Sequence, residues 1–276
     1  MRRFFLDREK ILSDRPTLTG PDVKHIRTVL RLKPGDEIFL FDGRGLEYQA
    51  RIAASTPKAI VLSVLERFPS ISESPVEITI GQALLKAGKM DRIVRQVTEL
   101  GIYALIPLLA KRSVPTPEPE RWAEKEQRWE AIARESLKQC GRSQIPRVGP
   151  PASFEGLVGT SKAYDLRIIF HHGNSGLKSQ PYPSDARDVR KVLALIGPEG
   201  GFTPDEVKLA LKCGFVCVPL GPRILKADTA ALVACAILQY AFGDLGGAAK
   251  KTLTSARRSN SSSLPCRDSS VGRAAD

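Results

Sequence analysis

Hydrophobic and polar positions divide the chain into two stretches of different rhythm. In the first, Ile38–Phe41 is a short apolar run, and Leu46–Ala53 and Ala59–Leu65 read as further strands. Asp42-Gly43-Arg44-Gly45 and Thr56-Pro57-Lys58 supply turn chemistry between them. Ahead of these strands, His25–Arg31 has helical spacing, and Lys33-Pro34-Gly35-Asp36 ends it. A small β-rich domain is expected over residues 1–72, with a boundary near Phe68–Pro75, where Pro, Ser and Glu collect.

The second stretch, residues 73–249, alternates strand and helix signals. Val76–Leu85, Tyr103–Leu109, Leu166–Phe170, Val192–Ile196 and Phe215–Pro219 are apolar, strand-like runs. Met90–Leu100 places Ile93, Val94, Val97 and Leu100 at helical spacing, with Gly101 as a stop. Glu118–Gln139 is a long charged helix carrying Trp122 and Trp129 seven residues apart, a spacing that favours core or dimer packing over base stacking. Thr203-Pro204-Asp205-Glu206 is a helix start: Thr203 can cap, Pro204 suits the first helical position and Glu206 completes a capping box. Asp228–Phe242 is a last apolar helix, with Asp228 as its expected cap. This alternation predicts an α/β domain with a mainly parallel sheet. Residues 250–276 are rich in Ser, Arg and Ala without periodicity, and disorder is expected there.

Composition narrows the class. The 276 residues are 42% hydrophobic and 26% charged, ordinary globular values that exclude a wholly disordered chain. No run reaches the ~18 uncharged apolar residues of a membrane helix. The basic start Met1-Arg2-Arg3-Phe4-Phe5 lacks the apolar stretch of a signal peptide, so a cytoplasmic location is expected. The net charge of +12 is spread evenly, with +4 in each of residues 1–72, 73–249 and 250–276. An excess so distributed points to a polyanionic partner, and nucleic acid is the commonest. The five cysteines form no CxxC, and no His or second Cys pair stands near Cys213 and Cys217, so no metal site is expected.

Two loops carry the candidate chemistry. Ile196-Gly197-Pro198-Glu199-Gly200-Gly201-Phe202-Thr203 follows a buried strand and runs into the capped helix. Its glycines let the backbone approach a ligand, and N–H groups near a helix start favour an acceptor. It has neither the Gly-Lys-Ser/Thr of a P-loop nor the GxGxxG of a dinucleotide fingerprint. Leu220-Gly221-Pro222-Arg223-Ile224-Leu225-Lys226-Ala227-Asp228-Thr229 likewise links a strand to a helix. Two such loops suggest a site outside the carboxyl ends of parallel strands.

In this order and spacing the motifs resemble those of the RsmE family, 16S ribosomal RNA uridine-N3 methyltransferases of the SPOUT superfamily. The likeness spans roughly residues 1–245. It includes Arg2-Arg3-Phe4-Phe5, His25 through Asp36, Ala83–Lys86, Lys89-Met90-Asp91, Gln96 through Gly101, Lys111-Arg112-Ser113 and Gln139–Arg142. The resemblance implies a PUA-like β-barrel over residues 1–72 and a SPOUT domain with a deep trefoil knot over residues 73–249. The tail, residues 250–276, has no counterpart in that pattern.

The resemblance further implies S-adenosylmethionine as cofactor, a homodimer, and methylation of N3 at uridine 1498 of 16S RNA in the small ribosomal subunit. Carried over by position, Ile196, Gly197, Gly200 and Gly201 would line one side of the cofactor. Leu220, Ile224, Leu225, Ala227 and Thr229 would line the other. Arg112, Arg142 and Glu199 are the catalytic candidates, although Glu199 reads better as holding its loop through hydrogen bonds. Arg2, Arg3, Arg27, Arg31, Lys86 and Lys89 are the RNA-facing candidates; Lys33 belongs with them, and His25 reads better as a core histidine. Glu135 and Gln139 share a helix face that could border the cleft or simply decorate the helix. His171-His172-Gly173 could rim the cofactor site.

Three other readings stay open on the residues alone. The chain could be a non-catalytic RNA-binding or ribosome-assembly protein, or a SPOUT methyltransferase acting on transfer RNA. It could also be an unrelated nucleotide-binding enzyme, which the missing P-loop lysine argues against.

Overall fold

A computed structural model describes residues 2–86, 88–114, 119–172 and 189–246. The expected disorder of residues 250–276 lies outside the described residues.

The N-terminal elements are β1 (Arg3–Phe5), α1 (Arg8–Ile11), β2 (Thr17–Thr19), α2 (Pro21–Lys24), β3 (Glu37–Phe41), β4 (Leu46–Ser55) and β5 (Ala59–Pro69). They form a five-stranded sheet in the order β1-β3-β4-β5-β2. Antiparallel β3, β4 and β5 follow the expected turns, and their period-2 pattern buries Ile38, Leu40, Tyr48, Ala50 and Ile52. The helix expected from His25 instead begins at Pro21 and widens into a π-helical turn over His25–Val29. That turn puts Ile26 into the core and leaves His25 on the surface, edge-on to Phe4 at 6.1 Å. The core placement expected for His25 is therefore corrected. Successive residues of a helical turn point in different directions, so burying Ile26 turns the neighbouring His25 away from the core.

The second layer set comprises β6 (Glu77–Ala83), α3 (Lys89–Glu99), β7 (Ala104–Leu109), α4 (Trp122–Cys140), β8 (Arg147–Val148) and β9 (Ala152–Ser153). It continues with α5 (Phe154–Gly159), β10 (Leu166–Phe170), β11 (Lys191–Ile196), α6 (Pro204–Lys212), β12 (Val216–Val218) and α7 (Ala227–Ala241). The sheet order is β12-β10-β11-β6-β7-β8, with β9 also on β7, and every pairing is parallel. Parallel strands need crossovers, so helices cover both faces and the central strands read as continuous apolar runs. One face packs Ile93, Val97, Trp129, Ala231 and Leu238 from α3, α4 and α7. The other packs Phe154, Val158, Val207 and Ala210 from α5 and α6.

Trp122 and Trp129 meet edge-on at 5.5 Å within the core, and the Trp129 indole donates to Asp91 at 2.9 Å. The capping box is present: Thr203 accepts from the Glu206 amide, and Glu206 accepts from the Thr203 amide at 2.7 Å. Asp228 does not cap α7. The capping position is Lys226, and Asp228 sits inside the first turn.

Candidate active site

Because β10, β11 and β12 run parallel, their carboxyl ends open on one edge of the sheet. A cavity of about 960 Å³ lies there, which suits a nucleoside-sized ligand. Phe170 and His171 reach it from the end of β10, Ile196 through Phe202 from the end of β11, and Leu220 with Arg223 through Asp228 from the segment after β12 and the start of α7. The start of α3 contributes Lys89 and Arg92.

The glycine loop is shaped by its backbone. Gly201 has φ +66°, a left-handed conformation that side chains resist. A Cβ at Gly197 would come within 3.3 Å of the Phe202 amide nitrogen, so this turn has closed on itself. The buried Glu206 carboxylate holds the loop from below and also accepts from the Lys111 amide at 2.8 Å. That bond fixes the turn after β7, where Arg112 donates to the Gly200 carbonyl at 2.8 Å. Arg112 therefore enters the cavity wall beside the glycines.

The two carboxylates of the lining differ in their surroundings. Glu199 accepts from Lys89 at 2.6 Å, and that hydrogen bond holds its carboxyl below the usual range. Asp228 meets Arg92 only at 3.8 Å, and its Oδ1 is buried with no hydrogen-bond partner among the described residues. Burial, with electrostatic repulsion from its neighbours including the Arg112 guanidinium, pushes His171 below the ordinary histidine value, so its imidazole is neutral at neutral pH.

Most of the residues expected for the cofactor meet in this wall: Ile196, Gly197, Gly200, Gly201, Leu220, Ile224, Leu225 and Ala227. Thr229 does not, because the turn of α7 carries it to an exposed position. Arg112, Glu199 and Lys89 also line the cavity, whereas Lys86 is exposed outside the lining. Arg92, Arg223, Lys226 and Asp228 line it without having been singled out for a site. Arg92 had a signal, since it stands one helical turn after Lys89 on the same face.

Two expectations are corrected at the domain junction. Arg142 is 3% exposed and away from the cavity. Its guanidinium donates to Glu73, to the Thr98 carbonyl at 2.7 Å and to the Ile102 carbonyl at 3.0 Å. All its reach is used in tying chain segments together, which leaves nothing to offer a substrate. Arg3 pairs with Glu47 at 3.1 Å and donates to the Arg142 carbonyl at 2.9 Å and Ser143 Oγ at 3.1 Å. It joins the two sheets rather than facing RNA. Arg2, Arg27, Arg31 and Lys33 are exposed. Glu135 and Gln139 are exposed on α4, where Glu135 pairs with Lys138.

Among the described residues, no group of three His, Cys, Asp or Glu side chains is placed to hold a metal ion, and no helix is long and apolar enough to cross a membrane. Comparison with known proteins agrees with this architecture. An RNA methyltransferase domain model matches residues 72–239, and an RNA methyltransferase PUA domain model matches residues 18–65. Ribosomal RNA small subunit methyltransferase E from Bacillus subtilis is 31% identical over 247 residues, covering 87% of this chain and 96% of that protein. The crystal structure of the Neisseria gonorrhoeae methyltransferase E bound to S-adenosyl methionine superposes with a TM-score of 0.77 at 30% identity, covering 89% of this chain and 99% of that one. A Legionella pneumophila methyltransferase in complex with the cofactor SAM gives 0.74 at 31% identity, covering 88% and 99%. A parallel α/β sheet with its cavity at the carboxyl edge, a smaller sheet ahead of it and matches along nearly the whole described chain have one reading: the chain belongs to the RNA methyltransferase family, among the ribosomal RNA small subunit methyltransferase E proteins.

Proposed function

We propose that this protein transfers a methyl group from S-adenosylmethionine to N3 of one uridine, uridine 1498, in 16S ribosomal RNA of the small subunit. The observation that carries the reading is the cavity at the carboxyl ends of β10, β11 and β12, walled by glycine backbone, apolar side chains and cations.

The lining fits that cofactor. Ile196, Leu220, Leu225 and Ala227 offer apolar surface to an adenine ring, and the tightly closed Gly197–Gly201 turn offers backbone groups to its edge and to the ribose. When bound, S-adenosylmethionine supplies a methyl group on cationic sulfur and leaves as a neutral thioether. The protein's own contribution is positioning, because aligned reactants need little further help. N3 lies on the Watson–Crick edge, so the uridine must enter unpaired or flipped. Arg112, fixed by Gly200, and Arg92 in the same lining stabilise negative charge developing on the base. Glu199 is held by Lys89 and keeps the loop in shape. His171, neutral in its half-buried place, adds no positive charge against the sulfonium.

The proposal extends to the rest of the molecule. The domains are residues 1–72 for RNA binding and 73–249 for catalysis, with 250–276 as a tail. A trefoil knot is supported by two successive strand-end segments, 197–203 and 220–226, bordering one cavity. Exposed Arg2, Arg27 and Arg31 contact phosphates, which need cations and no sequence code. A homodimer is supported by the outer face of α7, where Leu232, Val233, Ala236 and Ile237 are half-buried and Tyr240 is 71% exposed. The site of action is the cytoplasm, where ribosomal subunits are.

The test is methyl transfer from labelled S-adenosylmethionine to small subunits lacking the modification, followed by nucleoside identification. N3-methyluridine at one position is the expected product. Cofactor binding without transfer to small subunits would move the target to another RNA.

A further inference from the structure

We infer that Asp228 is the catalytic proton acceptor, taking the N3 proton of the target uridine. This rests on the methyltransferase reading above and adds the group that reading lacks. N3 is a poor nucleophile until its proton leaves, so an acceptor within hydrogen-bond reach is required. Among the described residues the lining holds two carboxylates, Glu199 and Asp228. Glu199 is taken: Lys89 sits at 2.6 Å and lowers its proton affinity. Asp228 is open. Its side chain is 16% exposed, its Oδ2 has only a 3.8 Å contact with Arg92, and its buried Oδ1 has no partner among the described residues.

A buried carboxylate oxygen without a donor is costly, because it has given up water and gained no partner. Such an atom in a cavity wall is suited to a donor that arrives with a ligand. An imide N–H is a donor of that kind. Asp228 stands in the first turn of α7, where the helix dipole favours a carboxylate, but the cap falls at Lys226 and Asp228 makes no capping bond that would occupy its oxygens.

The step balances. The N3–H bond breaks, the proton passes to the Asp228 carboxylate, and the bonding pair stays on nitrogen. That pair forms the new N–CH₃ bond while the S–C pair remains on sulfur. A carboxylate is a weaker base than the uridine anion, so the transfer needs positive charge near the ring. Arg92 lies beside Asp228, and Arg112 stands in the same wall.

The cofactor's ammonium group is the competing donor for Oδ1, and the experiment separates the two. Asp228→Asn keeps the shape and removes the basicity; Asp228→Glu keeps the basicity. Single-turnover methylation is measured on small subunits reconstituted with 16S RNA containing either uridine or 5-fluorouridine. Binding of S-adenosylhomocysteine is measured by calorimetry. Asp228→Asn is expected to lose at least 100-fold in rate on uridine, consistent with general-base contributions of about 10²–10⁴-fold. Its affinity for S-adenosylhomocysteine should stay within about threefold. On 5-fluorouridine, whose N3 proton is more acidic, the deficit should shrink to tenfold or less, and Asp228→Glu should exceed Asp228→Asn on uridine. An affinity loss of tenfold or more would make Asp228 a cofactor ligand and overturn the inference. So would an unchanged deficit on 5-fluorouridine, or a rate loss under tenfold. If the unaltered protein methylates neither RNA, the function itself fails; if it does and Asp228→Asn matches it, only the acceptor fails.

Discussion

Arg142 grips one oxygen of Glu73 with two nitrogens, Nε at 3.0 Å and Nη2 at 2.8 Å, at the seam between the two sheets. The other Glu73 oxygen accepts from the Ser143 and Gln144 amides at 2.6 and 2.9 Å. With the Arg142 side chain 4% and the Glu73 side chain 17% exposed, solvent screens this pair little. Arg142→Ala leaves the half-buried Glu73 carboxylate short of its partner and takes one donor from each of the Thr98 and Ile102 carbonyls. A loss of about 3 kcal/mol in chemical denaturation is expected, with cofactor affinity unchanged in the fraction that remains folded. A normal denaturation midpoint with abolished methyl transfer would restore Arg142 to a catalytic role.

The glycine loop predicts a split between two neighbours. Gly201→Ala forces a side chain into φ +66°, at a cost of about 1–2 kcal/mol, while nothing lies within 4 Å of its added methyl. Gly197→Ala instead drives a methyl to 3.3 Å from the Phe202 amide and reshapes the cavity wall. Calorimetry with S-adenosylhomocysteine should show at least tenfold weaker binding for Gly197→Ala. Gly201→Ala should mainly lower the melting temperature.

His171 gives the cavity an acid limit. Burial holds its folded-state pKa below the ordinary histidine value, so the unfolded chain takes up the proton first as pH falls. Its contribution is therefore fully present above the ordinary histidine range. It is lost as pH falls from there towards the depressed folded value. His171→Asn should flatten that part of the stability profile in urea titrations between neutral and mildly acidic pH. An identical slope in both proteins would refute the assignment.

Salt dependence separates structural from RNA-facing cations. Removing exposed Arg2 or Arg27 should weaken RNA binding and reduce the slope of log K against log salt by about 0.7–0.9 for each phosphate no longer neutralised. Arg3→Ala should leave that slope unchanged and lower stability instead, because Arg3 is spent on Glu47, Ser143 and the Arg142 carbonyl. Filter binding at several salt concentrations, alongside melting curves, reads both.

The loops were legible as a site because strand-to-helix transitions rich in glycine occur twice in the second stretch. Their convergence on one cavity needed the parallel register of β10 with both β11 and β12. Asp228 read as a cap because Asp before an apolar helix is the usual capping signal. The helix begins one residue earlier, at Ala227, and that shift turns the carboxylate into the cavity wall. Arg3 read as RNA-facing and Arg142 as catalytic because a basic residue in a motif carries no mark of its partner. Glu47 and Glu73 lie 44 and 69 residues away from them in the chain.

By itself the sequence determined whatever is local. A short apolar run followed by Asp42–Gly45 turn chemistry set β3 and β4, apolar runs set β10 and β11, and the Thr203–Glu206 box set the start of α6. Each depends on residues within a few positions of one another, where backbone geometry and side-chain type suffice. Tertiary structure alone decided the strand order, the burial of Arg3 and Arg142, the pairing of Lys89 with Glu199, and the unpartnered oxygen of Asp228. Those depend on which distant groups the packed sheet brings together, and a charged side chain's role is fixed by the partner it meets and the solvent it loses.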